Sequence, residues 1–122
     1  VSRKILNEST LAAWKEIDKD NWQKLVAEIA TIFFEVGALQ FSQLSQFWAI
    51  KDLEGIKKTA HSLKSSCGNV GAEEAHYLLD LIERAAEAGE LDKLPELMGK
   101  LPAIFIESNA LLRKYIQEYQ AA

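Results

Sequence analysis

The sequence predicts an all-α protein, an up-and-down four-helix bundle with an additional short N-terminal helix, and three observations lead there. Its 122 residues include only 6 Gly and 2 Pro, too few for a turn-rich β fold. Apolar residues recur at steps of three and four through most of the chain, the period of an amphipathic helix. The polar breaks between these stretches are short, as connections between neighbouring helices of a bundle are. The length suits one domain, expected to span residues 1–122.

Taken in order, Ser9 is placed to cap a short helix running to about Ile17, with Leu11, Trp14 and Ile17 on one face. The polar residues Asp18 to Asn21 read as a turn. From Trp22, the residues Leu25, Val26, Ile29, Ile32, Phe33 and Val36 draw a helical stripe. Gly37 is expected to kink or break it, and a further helix offers Leu39, Leu44, Phe47 and Trp48 to the core. Asp52 reads as the cap of a helix from Leu53 to about Cys67. Gly68, Asn69 and Gly71 then form the clearest break in the chain. Ala72 to Ala88 is helical, with Ala75, Leu78, Leu79, Ile82 and Ala86 inward and Gly89 as the stop. The last helix begins near Asp92, tolerates Pro95 in its first turn and is expected to kink at Pro102. Ile106, Leu111, Leu112, Tyr115, Ile116 and Tyr119 continue its apolar side. Trp14, Trp22 and Trp48 are expected as core or half-buried anchors.

Composition removes several function classes. A net charge of −4 and a pI near 5.2 argue against general nucleic-acid binding, which needs a basic face. One cysteine, Cys67, excludes an intrachain disulfide framework and a multi-cysteine metal site. No uninterrupted apolar run approaches the roughly 18–20 residues of a membrane span, no signal peptide is visible at the start, and a cytoplasmic location is expected. The chain opens on Val1 rather than Met, which fits a piece of a longer protein such as the tail of a hybrid sensor kinase.

The chemistry is expected on the Leu53–Cys67 helix. Leu53, Ile56, Ala60, Leu63 and Cys67 form one apolar stripe, and His61 lies about 120° from its centre, facing solvent or a partner. Lys57, Lys58, Lys64 and Ser65 lie within a turn of it. Neighbouring ammonium groups disfavour the imidazolium, so a neutral, nucleophilic ring is expected near pH 7. The same charges would attract a phosphoryl group. Spacing alone favours a surface histidine on a solvated, lysine-rich face, since such faces are common.

The run Thr59-Ala60-His61-Ser62-Leu63-Lys64-Ser65-Ser66-Cys67-Gly68-Asn69-Val70-Gly71 resembles the signature of the histidine phosphotransfer (HPt) family of bacterial two-component phosphorelays. That signature is roughly A-H-x-L-K-G-S-[small]-x-x-x-G within a four-helix bundle. His61 matches its histidine, Lys64 the lysine three residues on, and Gly71 the later glycine. The segment Leu78 to Gly89, including Leu81-Ile82-Glu83, is similar to the family's next helix, and helix order agrees over nearly the whole chain. The resemblance implies that His61 is the phosphoacceptor and that Lys64 steadies the phosphoryl oxygens. It also implies that Glu83 orients the imidazole through its other nitrogen, where a solvent-facing Glu83 paired to a lysine is the alternative. Lys57, Lys58, Ser65 and Gly68 are the expected partner contacts. The chain departs from the family at Ser65, where a glycine is usual. The added hydroxymethyl group is expected to crowd the approach of a receiver loop.

Other constellations carry less. His76 has Leu79 where the motif needs lysine, and with Glu73 it forms a single E-x-x-H, whereas di-iron bundles need two. Asp18, Asp20 and Asn21 start like a calcium loop, but Gln23 and Ile29 stand where glycine and the bidentate glutamate belong. Cys67, on the apolar stripe, reads as core. Gly68 and Gly71 make no nucleotide fingerprint, because no strand precedes them. No ATP-binding motif is present. Two functions follow. The first is a phosphoryl carrier, not an enzyme, needing no metal or cofactor of its own. It would work, as a monomer, with receiver domains that supply the Mg ion, and would touch neither nucleic acid nor membrane. The alternative is a phosphorylation-independent helical adaptor that binds a signalling partner, and Ser65 is the feature that keeps it open.

Overall fold

The computed structural model describes residues 2–120. Those residues form α1 (Glu8–Ala12), α2 (Trp14–Ile17), α3 (Trp22–Ile32), a π-helical turn (Phe33–Gly37), α4 (Ala38–Ala49), α5 (Leu53–Val70), α6 (Glu73–Glu87), a 3₁₀ turn (Leu91–Lys93) and α7 (Leu94–Gln120). The bundle consists of four long rods, α3–α4, α5, α6 and α7, with α1 and α2 added at the N-terminal end. This is the helical bundle that the apolar periodicity predicts.

Helix ends follow side-chain chemistry. Asn7, not Ser9, caps α1: its carboxamide oxygen accepts from the Ser9 amide at 3.1 Å, which leaves Ser9 in the first turn. Asp52 caps α5 as expected, accepting from the Gly55 amide at 3.1 Å. Asp18 accepts from the amides of Asp20 and Asn21, so the acidic run is a turn that launches α3.

One expected break is absent and another falls later than expected. At Gly37 the chain passes through the π turn and continues, so Trp22–Ala49 is one helix of 28 residues. Phe33 and Phe41 both pack on Phe105 of α7, the latter stacked at 4.8 Å. That packing holds both halves to the bundle while the ladder absorbs one extra residue. By length and composition alone this rod is long and apolar enough to cross a membrane, which a reading as two helices did not foresee. Here Val26, Ala30, Phe33 and Leu44 are buried in the bundle. At the other break, α5 runs through Gly68 and Asn69 because Cys67 and Val70 are buried on its inner face. It ends only at Gly71, whose φ of 80° is left-handed. The Ala72 amide reaches back to the Cys67 carbonyl at 3.0 Å, closing the helix as a Schellman turn.

The core is lined along α5 by Ile56, Ala60, Leu63 and Cys67, along α6 by Ala75, Leu78, Leu79 and Ile82, and along α7 by Leu94, Leu101, Phe105 and Leu112. Each fully buried leucine or isoleucine contributes roughly 1.5–3 kcal/mol. Trp14, Trp22 and Trp48 are half-buried against this core. Ile17, Leu39 and Ile106, expected inward, are exposed. Pro102 lies inside a continuous α7 with its ring exposed.

Residues Arg3 to Asn7 strap the α5–α6 corner. The Asn7 amide donates to the Gly71 carbonyl at 2.7 Å, and the Glu74 amide at the start of α6 donates to the Lys4 carbonyl at 3.1 Å. Arg3 pairs with Glu74 at 2.9 Å and lies over the Tyr77 ring. With only two residues in the turn and a strap across it, α5 and α6 are held in fixed register. That register positions the site.

Candidate functional site

His61 lies at the middle of α5 with its side chain 61% exposed, on the face away from the buried stripe. Nδ1 is 3.0 Å from Oε2 of Glu83 on α6. An ionised carboxylate only accepts, so Nδ1 carries the hydrogen and donates it, and Nε2 keeps its lone pair when the ring is neutral. Among the described residues, Nε2 has no hydrogen-bond partner. A shallow recess around the ring is lined by Lys57, Lys58, Ser62, Glu83 and Glu87.

Glu83 is 19% exposed and its second oxygen, Oε1, lies 2.8 Å from Lys64 Nζ, a contact of opposite charges whose direction is poor for a hydrogen bond. Lys64, 18% exposed, also donates to Asp80 Oδ1 at 3.1 Å, and Asp80 in turn pairs with Arg84 one turn on. The groups form a continuous chain from His61 through Glu83, Lys64 and Asp80 to Arg84. Burial raises the Glu83 carboxyl, but the Lys64 ammonium and the His61 N–H outweigh it and hold the group below the usual carboxylate range. Lys64 is raised by Glu83 against the cost of burial, with Asp80 adding to the effect. Asp80 is lowered chiefly by Lys64, against burial, with help from Arg84. Glu83 is therefore ionised at neutral pH, as acceptance of the His61 proton requires.

The three residues that the resemblance singled out, His61, Lys64 and Glu83, meet here. Glu83 pairs with a lysine, Lys64, as the alternative has it, but it is largely covered and also meets the His61 ring. The expected surroundings need correction in one respect. Lys57 and Lys58 both reach Glu54, at 3.3 and 3.6 Å, and the group touching the ring is a carboxylate, so His61 does not sit in a purely cationic field. Ser65 turns its hydroxyl back to the His61 carbonyl at 3.2 Å. Gly68 lies against His76, where an added Cβ would sit 3.2 Å from Nδ1.

Sequence reasoning missed Asp80, Arg84 and Glu54. Their signal was spacing: on α6, Asp80 and Arg84 are four apart and Glu83 lies between them, a pattern for one helix face. His76 is exposed and its Nδ1 donates to the Lys64 carbonyl at 2.9 Å. Glu73 instead accepts from the Lys4 amide and the Asn7 side chain, so the E-x-x-H pair does not act together. Among the described residues no group of three or more His, Cys, Asp or Glu is arranged to hold a metal ion. Cys67 is buried and its thiol is pushed up to about 12 by that burial, which makes it a core residue.

Comparison with known proteins agrees with the fold. No curated protein matches the chain. Among solved structures, the crystal structure of histidine-containing phosphotransfer protein B (HptB) from Pseudomonas aeruginosa PAO1 superposes with a TM-score of 0.78. It is 24% identical, over 97% of this chain and 99% of that one, a likeness that establishes the fold. Residues 28–122 match the Hpt domain family. With that match covering most of its length, the chain belongs to the Hpt domain family, the histidine phosphotransfer domains of two-component phosphorelays.

Proposed function

We propose that His61 accepts a phosphoryl group on Nε2 from the aspartyl phosphate of one receiver domain and passes it to the aspartate of another. The observation that carries this reading is the Nδ1–Glu83 hydrogen bond, which leaves an outward Nε2 with its lone pair. In the forward step Nε2 attacks phosphorus, the P–N bond forms, and the P–O bond to the receiver aspartate breaks with its electron pair leaving on the carboxylate. The ring keeps its Nδ1 hydrogen and becomes a phosphoimidazolium, whose positive charge the Glu83 carboxylate offsets. Lys64 has three N–H donors. Asp80 accepts from one of them, and Glu83 pairs with the ammonium by charge, which leaves N–H donors free to steady the phosphoryl oxygens.

The receiver supplies the divalent cation, and this chain needs no cofactor. Lys57, Lys58, Ser65 and Gly68, on the exposed side of α5, are the contacts we assign to the docked receiver, and we place the module in the cytoplasm as a monomeric carrier spanning residues 1–122. Ser65 is the residue that keeps an adaptor reading open. The bond from its hydroxyl to its own helix keeps the group close to the backbone and supports room for a receiver loop. Long-range ¹H–¹⁵N correlation spectra of protein phosphorylated by a charged receiver test the assignment. Phosphorus coupling at His61 Nε2 is expected; coupling at another residue, or none, overturns it.

A further inference from the structure

The side chains of α6 grip Lys64 at both ends. His76 donates to its carbonyl at 2.9 Å, while Asp80 and Glu83 share its ammonium at 3.1 and 2.8 Å. These three residues are four and three apart, on the α6 face that meets α5. Lys64 is only three residues from His61, so wherever its ammonium rests decides how much of the Glu83 carboxylate remains for the ring. With Asp80 in place, Lys64 takes one oxygen of Glu83 and His61 takes the other. Without Asp80, nothing on the far side restrains the ammonium, and both Glu83 oxygens become its partners. A long ammonium stem with three rotatable donors moves readily to whichever carboxylate is left.

We infer that Asp80 is a positioning residue for phosphotransfer: it divides the Lys64 ammonium with Glu83 and thereby keeps Glu83 Oε2 on His61 Nδ1. The inference rests on the phosphotransfer reading, but its first readout does not depend on it. Asp80 is turned away from the ring, with its second oxygen on Arg84, and so acts through Lys64 and Glu83. Partly exposed and paired at the surface of α6, it is replaceable by asparagine without emptying the core.

The test compares wild type, Asp80→Asn, Glu83→Gln, the double variant and Asp80→Glu in the unphosphorylated protein by ¹⁵N spectra of the imidazole. In the wild type, Nδ1 should show the shift of a protonated ring nitrogen and Nε2 that of an unprotonated one. Asp80→Asn should move both toward the average of the two tautomers, Asp80→Glu should restore them, and the double variant should match Glu83→Gln alone, since coupled residues are not additive. With a phosphorylated receiver, Asp80→Asn should lower the maximal transfer rate on the order of tenfold and leave the half-saturating receiver concentration unchanged. His61 shifts that stay at wild-type values in Asp80→Asn, while Glu83→Gln moves them, overturn the inference and leave the role of Glu83 standing. Effects of the two substitutions that simply add overturn it as well. If no receiver transfers to wild type, the phosphotransfer reading fails, and the imidazole shifts still decide whether Asp80 positions His61.

Discussion

Glu83 Oε2 lies 3.0 Å from His61 Nδ1, so one helix of the bundle fixes which nitrogen of the other helix's histidine faces outward. Replacing Glu83 by Gln keeps the shape and removes the charge. A hydrogen bond to a charged group is worth about 1.5–3 kcal/mol, which corresponds to a fall in transfer rate of about tenfold to a hundredfold. Single-turnover transfer from a phosphorylated receiver measures it. A rate within twofold of wild type would remove Glu83 from the mechanism.

Acid should destabilise the fold through the same cluster. Asp80 and Glu83 have folded-state values below the ordinary carboxylate range, so their contribution is present above the unfolded value of about 4 and is lost as pH falls through the folded values. Lys64 is raised; its contribution is present below the ordinary lysine value and is lost as pH climbs through the folded one. Thermal melting from pH 7 down to pH 2 should show Tm falling below pH of about 4. In the Asp80→Asn, Glu83→Gln double variant that fall should be shallower.

Three glycines should respond differently to alanine. At Gly71, φ is 80° and a Cβ would stand 2.5 Å from the Asn7 carbonyl oxygen, so strain of about 1–2 kcal/mol adds to a backbone clash. At Gly55 a Cβ would meet the Phe47 ring at 2.3 Å, an overpacking cost of about 1–3 kcal/mol that exceeds the gain in helix propensity. Gly99, inside α7, has nothing within 4 Å, and alanine there should stabilise by roughly 0.5–1 kcal/mol. Urea titrations should rank Gly99→Ala above wild type, and both Gly55→Ala and Gly71→Ala below it.

Cys67 should be inert in the native state. Fully buried on α5, with its thiol pushed up to about 12, it should not react with a thiol reagent at pH 8 until the protein is unfolded. Rapid labelling of the folded protein would show that the C-terminal end of α5 opens more easily than its packing indicates.

Much of this was legible in the sequence because it depends on periodicity. The stripes on α5 and α6 follow from steps of three and four, and the same arithmetic put His61 outside the core. The resemblance then named Lys64 and Glu83 as its companions. What was not legible depends on contacts between helices. Gly37 and Gly68 look like breaks from propensity alone, yet packing of Phe33, Phe41 and Val70 carries the helices through them. The carboxylate against His61 offsets part of the positive charge expected from the lysines, because the facing helix supplies a group that spacing along α5 cannot reveal. Asp80 belongs to the same class. Its place beside Lys64 comes from the register between α5 and α6, which the two-residue turn and the N-terminal strap set.

The central claim is that His61 carries the phosphoryl group, and intact-protein mass after incubation with phosphorylated receiver domains tests it most directly. A gain of about 80 Da that is lost in acid, and that His61→Gln does not acquire, is the predicted result. A gain of the same size that persists in His61→Gln, or no gain from any receiver with the protein folded, would contradict it.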